Sequence, residues 1–331
     1  MIDNILGTLY GMAIGDAMGM PSELWSRKRV KRHFNQITDF LDGPIENEVA
    51  YQYKRGQFTD DTAQALVILD SLIKNNFAIV SKDIAFRLLD WAEREQAFEK
   101  NILGPSSKSA LLGLKANKDV SLITNQAQTN GSAMRIAPIG CLFTPDQKDA
   151  LINYVAGISK VTHSSDITIA GACMIAAAVS GAMFFDDFDD IMAFVYSVEE
   201  PARLLGAETL NPSLTSRTKI GIQLAMMFKN QDEAFLEAIY QTVGAGVLMS
   251  ESVPTALTIA YYAKSVKHCS LLCANLGGDT DTIGAMACAI RGAYEGISKQ
   301  EPDFINLINS VNQVNLMGYA QTLDHFRGKL R

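Results

Sequence analysis

The sequence predicts an all-α protein, and three observations carry that prediction. No stretch of the 331 residues sustains an alternation of β-branched residues of the kind a strand needs. About a dozen segments instead repeat apolar residues at helical spacing, with short loops between them. The composition, 48% hydrophobic and 20% charged, is that of a globular chain long enough to bury a large core without staples. No linker or internal repeat divides the chain, so residues 1–331 read as a single compact multi-helix domain.

The elements follow in order. Residues 2–15 read as a helix through Ile2, Ile5, Leu6, Leu9, Ala13 and Ile14. Gly7, Gly11 and Gly15 recur every fourth position and make a smooth face, whose cost of ~1 kcal/mol per glycine is tolerable only where another backbone comes close. The segment from Gly15 to Glu23 contains Gly19 and Pro21 and reads as a turn. Glu23 then stands beside Leu24 and Trp25. A carboxyl against an apolar wall keeps its proton to higher pH, which suits acid–base work; taken by itself, though, the residue reads first as an ordinary surface glutamate.

Arg27-Lys28-Arg29 and Lys31-Arg32 read as a solvated helix face, Gly43-Pro44 as a turn and Tyr51–Gly56 as a loop or short extended piece. Thr59-Asp60-Asp61-Thr62 opens a helix carrying Leu66, Leu69 and Ile73, and residues 83–97 are helical around Ile84, Leu88 and Trp91. Gly104-Pro105-Ser106-Ser107-Lys108-Ser109 reads as a loop leading into a helix, without the ending of a P-loop. Asn130-Gly131-Ser132-Ala133-Met134-Arg135 pairs an Asn-Gly turn with small residues and an arginine; as a ligand loop it offers amide, hydroxyl and backbone donors to a sugar or pyrophosphate.

Thr162-His163-Ser164-Ser165-Asp166 precedes Ile167–Phe185, 19 residues without a charge. That length would span a bilayer, but the small residues and the flanking acids favour a buried central helix. Residues 186–205 read as one polar helix. Asn211-Pro212-Ser213, Gly244-Ala245-Gly246 and Glu251-Ser252-Val253-Pro254 read as loops before a helix over Ala256–Ala263, and the tail after Pro302 is helical.

Near the end stands Gly277-Gly278-Asp279-Thr280-Asp281-Thr282, two acids bracketed by hydroxyls between a glycine turn and a helical run. Alone it reads as a solvated cap. With Thr59-Asp60-Asp61-Thr62 it becomes the parts of a hard-cation site, whose oxygen-only donors suit Mg²⁺, Mn²⁺ or Ca²⁺ rather than zinc. His268, Cys269 and Cys273 lack a fourth ligand for zinc. The net charge of −7 argues against a nucleic-acid surface. The five cysteines lie mostly in apolar helical runs and Met1-Ile2-Asp3-Asn4 has no basic leader, so a reduced, cytoplasmic protein is expected, a monomer or weak oligomer with no membrane partner.

Five of these motifs, in this order and spacing, resemble the ADP-ribosylglycohydrolase family: Gly11-x3-Gly15-Asp16-Ala17-x-Gly19-x-Pro21-x-Glu23, Thr59–Thr62, Asn130–Arg135, Thr162-His163 and Gly277–Thr282. The resemblance spans residues 2–296. It implies a compact all-helical fold and a binuclear centre of two Mg²⁺ or Mn²⁺. Thr59, Asp60 and Asp61 would hold one ion and Asp279 and Thr282 the other, with Asp281 bridging. It also implies Glu23, with Asp61 and Asp281, as the catalytic set. Asn130, Gly131, Ser132, Met134 and His163, and more loosely Gly104 and Ser106, would line an ADP-ribose cleft. His163-Ser164-Ser165 departs from the usual His-Pro continuation. The implied activity is hydrolysis of the bond between ADP-ribose and a protein side chain or small acceptor. The same chassis would also suit a hydrolase of nucleosides or other small ribosyl metabolites, or a non-enzymatic ADP-ribose binder.

Overall fold

The structure, a computed structural model, describes residues 1–100, 102–116 and 118–330. Among the described residues there are eighteen α-helices and four short 3-10 helices, with no strand and only three isolated bridges. The expected all-helical architecture is therefore observed, and short helices account for the excess over about a dozen.

The most extensive helix contact joins the first helix, Ile2–Gly19, to the helix Thr280–Glu295. Its cause is the glycine face. A methyl group on Gly7, Gly11, Gly15 or Gly19 would overlap the backbone carbonyl of Gly292, Cys288, Gly284 or Thr280 in turn. The two antiparallel backbones touch directly, and the contact runs on to Gly19, carrying the helix past its expected end at residue 15. Asp16 is thereby brought to the N-terminal turn of the second helix.

The charge-free segment forms the helix Asp166–Ala182, buried along its whole length. It lies against Lys148–Ser159, Phe188–Tyr196, Glu199–Arg203, Met249–Tyr262 and Thr280–Glu295, which enclose it on all sides. Its small residues serve close packing in the interior. No helix among the described residues is long and apolar enough to cross a membrane.

Several local expectations are corrected. The loop from Gly104 to Ser109 is a helix from its second residue, Pro105–Lys115, because proline fits the first helical position, where its missing N–H is not needed. Glu251–Pro254 is not a loop but part of the helix Met249–Tyr262. Pro254 deprives the Ser250 carbonyl of its helical donor, and the Arg217 guanidinium supplies another at 2.8 Å. Residues 186–205 divide into Phe188–Tyr196 and Glu199–Arg203, the break lying ahead of Pro201. The helix expected over 83–97 runs Ser81–Arg94. The basic face is solvated only in part. Arg27 is 2% exposed, donates to the Asn275 carbonyl at 2.7 Å and ion-pairs with Glu233 and Glu237.

Candidate metal centre and cleft

The site begins with a turn. The helix Val266–Leu276 stops at Gly277 and Gly278, which adopt φ of +82° and +89°, open to glycine at no steric cost. The Leu24 N–H donates to the Gly278 carbonyl at 2.7 Å, and the Gly278 N–H to the Trp25 carbonyl at 2.8 Å. On the other side the Asp279 N–H donates to the Ala245 carbonyl at 2.7 Å. These bonds clamp the turn to the segment following Glu23. One carboxylate oxygen each from Glu23, Asp279 and Asp281 lie within 4.8 Å of one another.

The second acidic stretch is delivered by Asp16. Its Oδ1 accepts from the Thr59 N–H at 2.8 Å, and its Oδ2 from the Thr62 N–H at 3.0 Å and the Thr62 hydroxyl at 2.6 Å. Asp16 thus caps the helix Asp60–Lys74 from a different helix, while the Thr59 side chain makes no cap bond of its own. The Thr59 hydroxyl lies 2.8 Å from Asp16 Oδ1 and 3.2 Å from Asp61 Oδ2, with one proton to give. Asp60 then faces the same cleft as Glu23, Asp279, Asp281 and Thr282.

The electrostatics are those of like charges forced together. Burial, then Asp16 and Asp279, push the Asp60 carboxyl up to about 8. Burial outweighs the hydrogen bonds to Asp16 and Asp279 and takes each up to about 6. Glu23, Asp61 and Asp281 are raised well above the ordinary carboxylate range, by burial first and then by neighbouring acids. Asp61 Oδ1 and Asp281 Oδ1 are buried with no hydrogen-bond partner. Orphaned carboxylate oxygens are costly unless a cation answers them. The donors are all oxygens, from carboxylates and hydroxyls, which suits a hard divalent cation. The residues present therefore fit such an ion.

A buried polar chain supports this set. Gln64 Nε2 donates to Asp60 Oδ2 at 2.9 Å and its Oε1 accepts from Arg135 Nη1 at 2.5 Å. Arg135 Nη2 donates to the Thr162 hydroxyl at 2.5 Å, which lies 2.8 Å from His163 Nδ1. His163 Nε2 is 3.3 Å from the Thr129 hydroxyl, which donates to Ser106 at 2.9 Å. An arginine only donates, so Thr162 gives its one proton to Nδ1, and His163 carries its hydrogen on Nε2. Burial, then Arg135, hold its pKa down at about 3, so the ring is neutral. Next to Thr129, Asn130 Nδ2 donates to Asp279 Oδ2 at 2.5 Å. Asp60 is thus braced through Gln64 and Arg135, and Asp279 separately through Asn130.

The cleft above these acids has a volume of about 280 Å³. Of the residues singled out in the sequence, Glu23, Asp60, Gly104, Asn130, Gly131, Met134, Asp279, Asp281 and Thr282 line it. Thr59 and Asp61 are buried among these acids without lining it. Three others face elsewhere. The Ser132 hydroxyl donates to the Thr168 carbonyl at 3.1 Å, Ser106 takes the bond from Thr129, and His163 is wholly buried behind Gly131. Ser107, not Ser106, reaches the cleft. Asp16 and Gln64 carry structural weight that the sequence reading did not assign. The available signal for Asp16 was an acid beside the glycine face; for Gln64 there was none.

Fold and site together define an all-helical protein with a cluster of acidic and hydroxyl oxygens, able to hold a cation, beside a cleft. The family model described as ADP-ribosylglycohydrolase matches residues 1–326, and the chain belongs to that family. It is 44% identical over 328 residues to the uncharacterized protein YegU of Escherichia coli (strain K12), covering 98% of this chain and 97% of that one. It is 27% identical over 326 residues to the ADP-ribosylhydrolase ARH3 of Bos taurus, covering 88% and 85%. A solved structure described as an ADP-ribosylglycohydrolase-related protein complex superposes with a TM-score of 0.73 at 22% identity, covering 98% of each chain; that likeness speaks for the fold alone.

Proposed function

We propose that the protein is a divalent-cation-dependent hydrolase that cleaves the bond between C1 of ADP-ribose and an acceptor atom on a protein side chain or small molecule. The observation that carries this reading is Glu23, set within 4.8 Å of carboxylate oxygens of Asp279 and Asp281 at the base of a cleft. Family membership and the similarity to a protein named as an ADP-ribosylhydrolase support the substrate class.

In this reading Thr59, Asp60 and Asp61 would hold one cation and Asp279, Asp281 and Thr282 a second, with Asp281 shared. Bound Mg²⁺ or Mn²⁺ supplies fixed positive charge that grips ribose hydroxyls and acidifies water. Glu23 moves the protons. Its carboxyl, raised by burial and then by Asp281 and Asp279, gives a proton to the acceptor atom as the bond to C1 breaks. As a carboxylate it then takes a proton from the water whose oxygen bonds to C1. Asn130 and the Gly131 backbone face the cleft where sugar and diphosphate would lie. Gln64 and Arg135 keep Asp60 in place throughout.

The test is a panel of arginine-linked, serine-linked, O-acetylated and nucleoside substrates, each with and without added Mg²⁺ or Mn²⁺. Release of ADP-ribose that requires the cation and vanishes in Glu23→Gln is the expected result. Turnover only of nucleosides, with no inhibition by ADP-ribose, would replace this reading with that of a nucleoside hydrolase. Full activity without cation in Asp281→Asn would refute the metal-dependent mechanism.

A further inference from the structure

Glu23 sits on a turn whose backbone opposes the residue that follows it. Glu23 has φ −48° and ψ 133°, Leu24 has φ +56°, and the Trp25 N–H closes the turn on the Ser22 carbonyl at 3.1 Å. A turn of this kind, type II, calls for glycine or asparagine where Leu24 stands, because a Cβ crowds the backbone at positive φ. Left to itself, the peptide between Glu23 and Leu24 would turn over and return Leu24 to negative φ. The surroundings must hold it.

Both polar ends of that peptide are held. The Leu24 N–H donates to the Gly278 carbonyl at 2.7 Å, and the Glu23 carbonyl accepts from Asn47 Nδ2 at 3.0 Å. Asn47 is 2% exposed. Its Nδ2 also faces the Pro21 carbonyl at 3.4 Å, and its Oδ1 accepts from the Val49 and Ala50 N–H groups at 3.2 and 3.4 Å. Carbonyls on one side and N–H groups on the other fix which end is the nitrogen. The backbone of Asn47 is tied as well, its N–H to the Pro44 carbonyl and its carbonyl to the Tyr51 N–H, both at 2.9 Å. Gly43 lies so near the Ala50 carbonyl that a methyl group there would overlap it. Glu23, Leu24 and Val49 all line the cleft, so one buried amide joins three parts of its wall without lining it itself.

We infer that Asn47 is the positioning residue for Glu23: it locks the Glu23–Leu24 peptide in its strained orientation and so fixes the point from which the Glu23 carboxyl reaches the scissile bond. Asn47 acts through Glu23 and makes no hydrogen bond to Thr59, Asp60, Asp61, Asp279, Asp281 or Thr282. The inference rests on the reading above of Glu23 as the group that moves the proton.

The experiment uses the full chain loaded with Mg²⁺ and compares wild type, Asn47→Ala and Asn47→Asp. The aspartate keeps an acceptor for Val49 and Ala50 but has no proton to give the Glu23 carbonyl. On each of the substrates above that the wild type cleaves, both variants should lose about tenfold or more in kcat, with KM within about twofold. In a Leu24→Gly background the turn needs no outside hold, and Asn47→Ala should cost about threefold or less. Amide exchange in ¹⁵N-leucine-labelled protein should show the Leu24 N–H opening about tenfold faster in both variants. Mn²⁺ titrated calorimetrically should bind every form with wild-type affinity. A wild-type kcat in either variant overturns the inference, as does a loss confined to KM, an equally large loss in the Leu24→Gly background, or a parallel fall in Mn²⁺ affinity. If Asn47→Ala does not fold, Asn47→Asp decides. If the wild type cleaves none of the substrates, the hydrolase reading fails, and the Leu24 exchange rate still decides whether Asn47 holds the turn.

Discussion

The first helix and the helix Thr280–Glu295 meet along their whole lengths, yet the two ends of that contact differ in kind. From Gly7 to Gly15 the backbones touch carbonyl to glycine, with no acid between them. At the other end, where Asp16 faces the start of the second helix, buried acids crowd together and Asp61 and Asp281 each keep an oxygen without a partner. The first region is built for stability. The second holds a local conflict among buried acids, which retained protons or a bound cation would relieve, and such conflicts mark sites of function.

Substitutions should therefore act with opposite sign at the two ends. Gly15→Val drives a side chain into the Gly284 carbonyl and should cost about 3 kcal/mol or more, with loss of cooperative unfolding in urea as the readout. Asp281→Asn should abolish turnover, by about a thousandfold or more, yet raise the melting temperature of metal-free protein, because it removes a buried charge that repels its neighbours. A fall in metal-free stability in that variant would break the comparison.

The pH dependence sharpens it. Asp60 titrates near 8 and Asp16 and Asp279 near 6 in the folded chain, against 3.8 as the ordinary value. Raised carboxyls favour the folded state below 3.8, and that contribution is lost as pH rises through 6 to 8. Metal-free protein should thus gain stability, from these groups, when pH falls from 8 toward 5. Added Mn²⁺ should raise the melting temperature most at pH 8 and much less at pH 5; an increment independent of pH would count against the acid cluster as its binding site. Thr162→Val, which cuts the chain between Arg135 and His163, should have the smallest effect. About 1–2 kcal/mol of stability is expected to go, with a weaker Mn²⁺ affinity as the sign that the network braces the acids.

The sequence made the two acidic stretches and the glycine face legible because each is a local pattern: acids at a helix start, glycines at a period of four. It also showed that the charge-free segment belongs inside. What it hid depends on partners distant in the chain. Arg27 reads as one of a basic run until Glu233 and Glu237 fold over it. Pro254 reads as a breaker until Arg217 takes up the stranded carbonyl. Asp16 reads as part of a turn until Thr59 and Thr62 dock on it.

The most direct measurement is calorimetric titration of Mn²⁺ into metal-free wild-type protein, Asp61→Asn and Asp281→Asn at pH 8. The account predicts saturable binding to the wild type and a large loss of affinity in both variants, because the two stretches share one site. Wild-type affinity in either variant would contradict it.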